Sequence, residues 1–235
     1  MRKILAALLL ALMPLQAFAS SLDIIVLRGE DTIEVFFSAP TRGYIDLFGM
    51  SPSMLEEPDG TVDFDALREG TFDMADDIFA SVDTWFAGAP VFFEAMSMMV
   101  HPIDDRLQFR TPVDGMVAMA VCTVPTPDIP PALDTLWAYS GFITYVDDPS
   151  GPVSLELTAM TLPSVEVSVR YFTEEGFVGR ETFTHAAGTT LLLGNPSSAV
   201  PLWVLWLIIV GLALGAGVIT YRVVMTRIWR APQIT

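Results

Sequence analysis

From Ala199 to Thr220 the chain runs 22 residues without a charged side chain, and Tyr221, Arg222, Arg227 and Arg230 follow. A helix rises 1.5 Å per residue, so about 20 residues match the hydrocarbon core of a bilayer. In lipid the backbone must satisfy its own hydrogen bonds, which predicts one transmembrane helix over 199–221. A second apolar stretch, Ile4 to Leu15, opens the chain behind Met1, Arg2 and Lys3. It is short for a span, and Ala17-Phe18-Ala19 supplies the small-residue cleavage pattern of a secretory signal. Residues 1–19 are therefore expected to be a cleavable signal peptide, 20–198 an exported domain and 222–235 a short basic tail.

Charge sets the orientation. All 28 acidic residues lie between Asp23 and Glu181, with only seven arginines among them, whereas the tail carries three arginines and no acid. Positive residues behind a span place that side in the cytoplasm, and Trp203 and Trp206 at one end with Tyr221 and Trp229 at the other read as interfacial anchors beside Arg222, Arg227 and Arg230. The expected location is a bacterial inner membrane, crossed once, with the N-terminal domain periplasmic. So acidic a domain repels phosphate polymers, which excludes nucleic acid as a partner. The single Cys122 forms no intramolecular disulfide, so the apolar core must hold the domain, and Asn195 precedes Pro196 and accepts no glycan.

Within the exported part, short β-rich runs alternate with turn residues. Leu22–Leu27 and Thr32–Phe37 flank Arg28-Gly29-Glu30-Asp31, and Gly43–Phe48 makes a third run. Val91–Val100, Leu107–Thr111, Met116–Val124, Trp137–Val146, Val153–Met160, Val165–Phe172, Gly179–His185 and Thr189–Leu193 continue the series. In one of them Val165, Val167, Val169 and Tyr171 alternate with Glu166, Ser168 and Arg170, giving one apolar face and one polar face. Nine to eleven strands at this spacing predict a mainly β fold, an antiparallel β-sandwich. One segment departs from the pattern: Phe64, Leu67, Ala75, Ile78, Phe79, Val82 and Phe86 recur at three- and four-residue spacing, predicting one inserted amphipathic helix over about 63–86.

Four constellations carry candidate chemistry. Asp59-Gly60-Thr61-Val62-Asp63 resembles the second half of an EF-hand calcium loop. Aligning Gly60 with the loop glycine puts Leu55 and Ala66 where two principal ligands belong, which leaves a looser calcium site around Glu56, Glu57, Asp59 and Asp63. Met96, Met98, Met99 and His101, with Met116, Met119 and Cys122 further on, offer thioether, imidazole and thiol ligands suited to copper. Strand alternation places Met96 and Met98 on one face and Met99 and His101 on the other. His101 and His185 are the only histidines, and the chain contains no nucleophile elbow, phosphate loop, HExxH or CxxC. No catalytic residue and no cofactor is assigned. Gly211 and Gly215 form a GxxxG pair, and Ala213 with Gly217 repeats the spacing, so the span is expected to pack against itself or another subunit.

These features describe a single-pass envelope protein with a non-enzymatic binding, scaffold or accessory role in an inner-membrane assembly. Its expected partners are the bilayer and a protein met through the transmembrane helix. Periplasmic handling of copper or calcium is the alternative, and an enzyme with a dispersed site is the third reading.

Overall fold

The computed structural model describes residues 21–51, 56–121 and 132–194. The expected signal peptide, the span with Gly211, Ala213, Gly215 and Gly217, the interfacial residues and Cys122 lie outside the described residues. Among the described residues no helix is long and apolar enough to cross a membrane.

The fold is mainly β, with two sheets and few helices. β1 (Ser21–Arg28) and β2 (Thr32–Pro40) form a hairpin closed by the Gly29 amide, which donates to Thr32 O at 2.9 Å. β5 (Glu94–Pro102), β6 (Leu136–Tyr145), β8 (Ser164–Thr173) and β9 (Gly176–Ala186) complete a six-stranded sheet in the order β5-β6-β2-β1-β8-β9. β3 (Val82–Phe86), β4 (Ala89–Pro90), β7 (Val153–Leu157) and β10 (Leu191–Leu193) form a four-stranded sheet in the order β10-β7-β3-β4. The larger sheet is mixed, because β1 pairs with β8 in parallel over Ser21–Arg28 and Glu166–Thr173. That contact overturns the purely antiparallel expectation: two runs at opposite ends of the domain meet at the sheet centre, which alternation within either one cannot show.

Among the described residues of the expected exported domain, three α-helices stand where one was expected. α1 (Thr41–Phe48) replaces the predicted third strand, α2 (Phe64–Ala80) is the predicted helix, and α3 (Pro112–Ala120) replaces the first part of the predicted Met116–Val124 strand. α2 stops six residues short of Phe86, because Val82–Phe86 pairs with β7 instead. The backbone thus changes from helix to strand while the apolar spacing runs on.

The mixed sheet is covered on both faces. Leu22, Ile24 and Val26 of β1 join Phe37, Phe142, Val153, Leu155, Ile78 and Tyr44 in the main core, which draws on both sheets, α1 and α2. On the opposite, outer face Ile25, Phe36, Tyr139, Trp137 and Phe172 form a second cluster with Phe109, Ala118 and Met119. A strand buried on both sides reads as a continuous apolar run, which explains the sequence Leu22-Asp23-Ile24-Ile25-Val26-Leu27. α3 approaches closely because Gly115 faces Phe36: a Cβ there would sit 2.9 Å from the ring. Met119 lies over Gly141, whose missing side chain makes room for the thioether.

Candidate functional site

The outer face of the six-stranded sheet gathers arginines. Arg170 on β8 stands directly opposite Arg180 on β9, and cross-strand partners share a face. The segment leading to α3 crosses the same face and adds Arg106 and Arg110. The Arg106 guanidinium lies 3.4 Å over the Trp137 ring and 3.3 Å from an Asp23 carboxylate oxygen. Arg170 lies 3.8 Å from the other Asp23 oxygen and donates to Phe109 O at 3.0 Å. Burial pushes the Arg170 guanidinium below its ordinary range, Asp23 pulls it back up, and the charges of Arg180, Arg110 and Arg106 push it down again. Asp23 is the one carboxylate that ion-pairs with these four among the described residues. Its cross-strand neighbour Ser168 keeps a buried hydroxyl with no hydrogen-bond partner among the described residues.

The methionine and histidine cluster divides differently from its expected pattern. A bulge between Ala95 and Ser97 shifts the register, and Met96 packs on the outer cluster rather than beside Met98. Met98 is 1 % exposed in the main core, so it is structural. Met99 pairs with Tyr139 and His101 with Trp137, which puts both on the outer face, where α3 adds Met119. His101 is buried; its Nε2 lies 2.8 Å from Ala118 O, and its ring meets Tyr139 edge-on at 5.4 Å. That nitrogen therefore locks β5 to α3. Met116 sits on the exposed side of the helix and takes no part in this face.

The acidic loop is a small hairpin. Glu57 and Thr61 pair through backbone, Glu56 bridges Val62, and exposed Asp59 accepts from the Thr61 amide at 3.0 Å and its hydroxyl at 2.6 Å. Those two bonds hold the Asp59 carboxyl below its usual range. Glu56 is engaged by Arg42 at 3.2 Å, and Arg42 also reaches Asp134 at 2.9 Å. Asp63 immediately precedes α2. Among the described residues no three His, Cys, Asp or Glu side chains gather as a metal site, so Asp59 and Asp63 are not brought together with further ligands.

Arg28, at the far end of β1, escaped the sequence reading. It is 6 % exposed, and its guanidinium donates to the carbonyls of Pro149, Gly151 at 2.7 Å and Leu193 at 3.3 Å. Burial lowers its affinity for the proton. Around it the loops carry Glu30, Asp31, Asp147, Asp148, Glu174 and Glu175, and Asp31, Tyr145, Asp147 and Asp148 line a shallow cleft of about 660 Å³. The loop acids are exposed, while the buried Arg28 takes neutral carbonyls. The chain matches no protein-family model and no curated protein.

Proposed function

We propose that this protein is a single-pass envelope protein whose exported β-sandwich acts as a non-enzymatic binding or accessory subunit of an inner-membrane assembly. The observation that carries this reading is the Arg28 staple. It ties β10, the last strand among the described residues, to the larger sheet and to the β6–β7 loop. A buried charged donor on three carbonyls fixes the end of β10 against the larger sheet. The uncharged run begins at Ala199, six residues after Leu193, so on this reading the fixed end of β10 lies a short stretch of sequence from the anchor. The sandwich description is supported by one apolar core drawn from both sheets.

The test is recovery of the full-length chain from its own membranes in mild detergent, with mass spectrometry of co-purifying proteins and of metal content. A stoichiometric membrane partner, lost when Gly211→Ile and Gly215→Ile are combined, is the expected result. Intact association in that double variant, with the protein still folded, defeats the helix-packing reading.

A second reading, copper handling, is favoured by one observation. The bulge at Met96 and the seating of α3 bring Met96, Met99 and Met119 to one face of the sheet beside His101. Thioethers favour Cu(I) over harder ions. On this reading Cu(I) raises the thermal stability of the full chain, and Met99→Leu with Met119→Leu removes the gain; no gain in the parent chain removes the reading.

A further inference from the structure

We propose that the outer face of the six-stranded sheet binds a small tetrahedral oxyanion of the phosphate type between Arg106, Arg110, Arg170 and Arg180. The inference does not depend on the membrane-anchored reading. Like charges placed directly opposite on adjacent strands destabilise a sheet, and Arg170 faces Arg180 in this way. The segment over that face then adds the guanidiniums of Arg106 and Arg110. In a chain with 28 acidic residues and 12 basic ones, random placement would surround each arginine with acids. Here Asp23 alone ion-pairs with the group among the described residues. Asp114 is occupied by the Arg110 and Thr111 amides, and Asp104 and Asp105 form no ion pair with the four among the described residues. Glu181, beside Arg180 in sequence, points to the other face, where it meets the Tyr171 hydroxyl at 3.3 Å.

The geometry also selects the ligand. Arg170 is fixed by Phe109 O and Asp23, and Arg106 is held flat on Trp137, so two of the four donors are already ordered. Ordered guanidinium forks suit an anion with several oxygens, because each fork donates two parallel hydrogen bonds. The hydroxyl of Ser168, buried and without a partner among the described residues, is a further donor beside Asp23.

The experiment is calorimetric titration of the full chain in nonionic detergent, at constant ionic strength, with inorganic phosphate and separately with glycerophosphoglycerol. Saturable phosphate binding below about 10 mM is expected. Combining Arg110→Gln with Arg180→Gln should weaken it at least about tenfold, since two charge-assisted contacts are lost. Arg180→Gln alone should give a smaller loss, and Arg42→Gln, on another face, should leave affinity unchanged. Both substituted residues are exposed, so the variants are expected to fold. Without phosphate the double variant should melt no lower than the parent, and phosphate should raise the melting temperature of the parent alone. Tighter binding of glycerophosphoglycerol assigns the site to a lipid headgroup; tighter binding of phosphate assigns it to a free anion. Absence of saturation, equal binding by the Arg110 and Arg180 variant, or an equal loss in Arg42→Gln overturns the proposal.

Discussion

Arg28 brings a charge into the interior and, among the described residues, meets neutral carbonyl oxygens there, so its value lies in the carbonyls it satisfies. Arg28→Met keeps much of the aliphatic stem but leaves the carbonyls of Pro149, Gly151 and Leu193 without their donor. The expected loss is about 2–4 kcal/mol, measured by urea unfolding of the full chain in detergent; a loss below about 1 kcal/mol would remove the staple from the argument. His185 sets a pH dependence. It is 4 % exposed, its Nε2 has no partner among the described residues, and burial holds its pKa below the ordinary 6.5. The unfolded chain therefore binds the proton more readily than the folded one, so this residue makes stability fall as pH drops below about 6.5 toward the lowered folded value. His185→Phe should flatten that part of the melting profile and leave the remainder unchanged. Neither residue announced this in the sequence. Arg28 reads as a turn arginine next to Gly29, and its role needs contacts 121 to 165 residues away. The arginine face was legible in one part only: the hairpin around Glu174-Glu175-Gly176 sets Arg170 near Arg180, whereas Arg106 and Arg110 arrive through tertiary packing.

At the scale of elements, the long strands were the legible part; the short helices and β3 were not, and the predicted Leu107–Thr111 run forms no strand. β6 to β9 fall within a few residues of the predicted runs because alternation and turn residues agree there. α1 is eight residues of Thr, Arg, Gly, Tyr, Ile, Asp, Leu and Phe, too short for helical periodicity to outweigh β-rich composition. α3 did carry a start signal. Thr111 caps the helix, Pro112 opens it, and Asp114 accepts the Thr111 amide at 2.9 Å while its own amide reaches the Thr111 hydroxyl at 3.2 Å. That Thr-Pro-x-Asp arrangement is a capping box, and it also fits a turn; the burial of Gly115 and Met119 on the sheet decides between them. This seating yields a prediction with an unusual sign. Glycine to alanine within a helix ordinarily stabilises by about 0.5–1 kcal/mol. At Gly115 the new methyl would lie 2.9, 3.1 and 3.3 Å from atoms of Phe36, a buried ring with no room to retreat. Gly115→Ala is therefore expected to destabilise by about 1–3 kcal/mol, through overpacking. Chemical denaturation of the variant checks it, and a stabilising result would mean that α3 sits further from the sheet.

For the whole molecule, charge asymmetry is the property that most constrains orientation. All 28 carboxylates precede the uncharged run, and the three arginines Arg222, Arg227 and Arg230 follow it. If the run spans a bilayer, retaining the positive tail in the cytoplasm costs less than translocating it, so the acidic domain is the exported side. Orientation can be read residue by residue in a Cys122→Ser background, which removes the chain's single native thiol. Glu175→Cys, exposed in the β8–β9 hairpin, should react with a membrane-impermeant maleimide in cells whose outer membrane has been opened. Thr235→Cys should react only after lysis. Labelling of both sites in intact cells would mean that the run does not span, and the reverse pattern would invert the molecule. If the run spans a bilayer, replacing Arg222, Arg227 and Arg230 together by glutamine should raise the fraction of chains with an accessible Thr235→Cys, because positive residues disfavour translocation of the side that carries them. The same substitutions leave residues 21–194 untouched, so the melting behaviour of the β domain should not change; a change in both would make the tail a part of the folded domain.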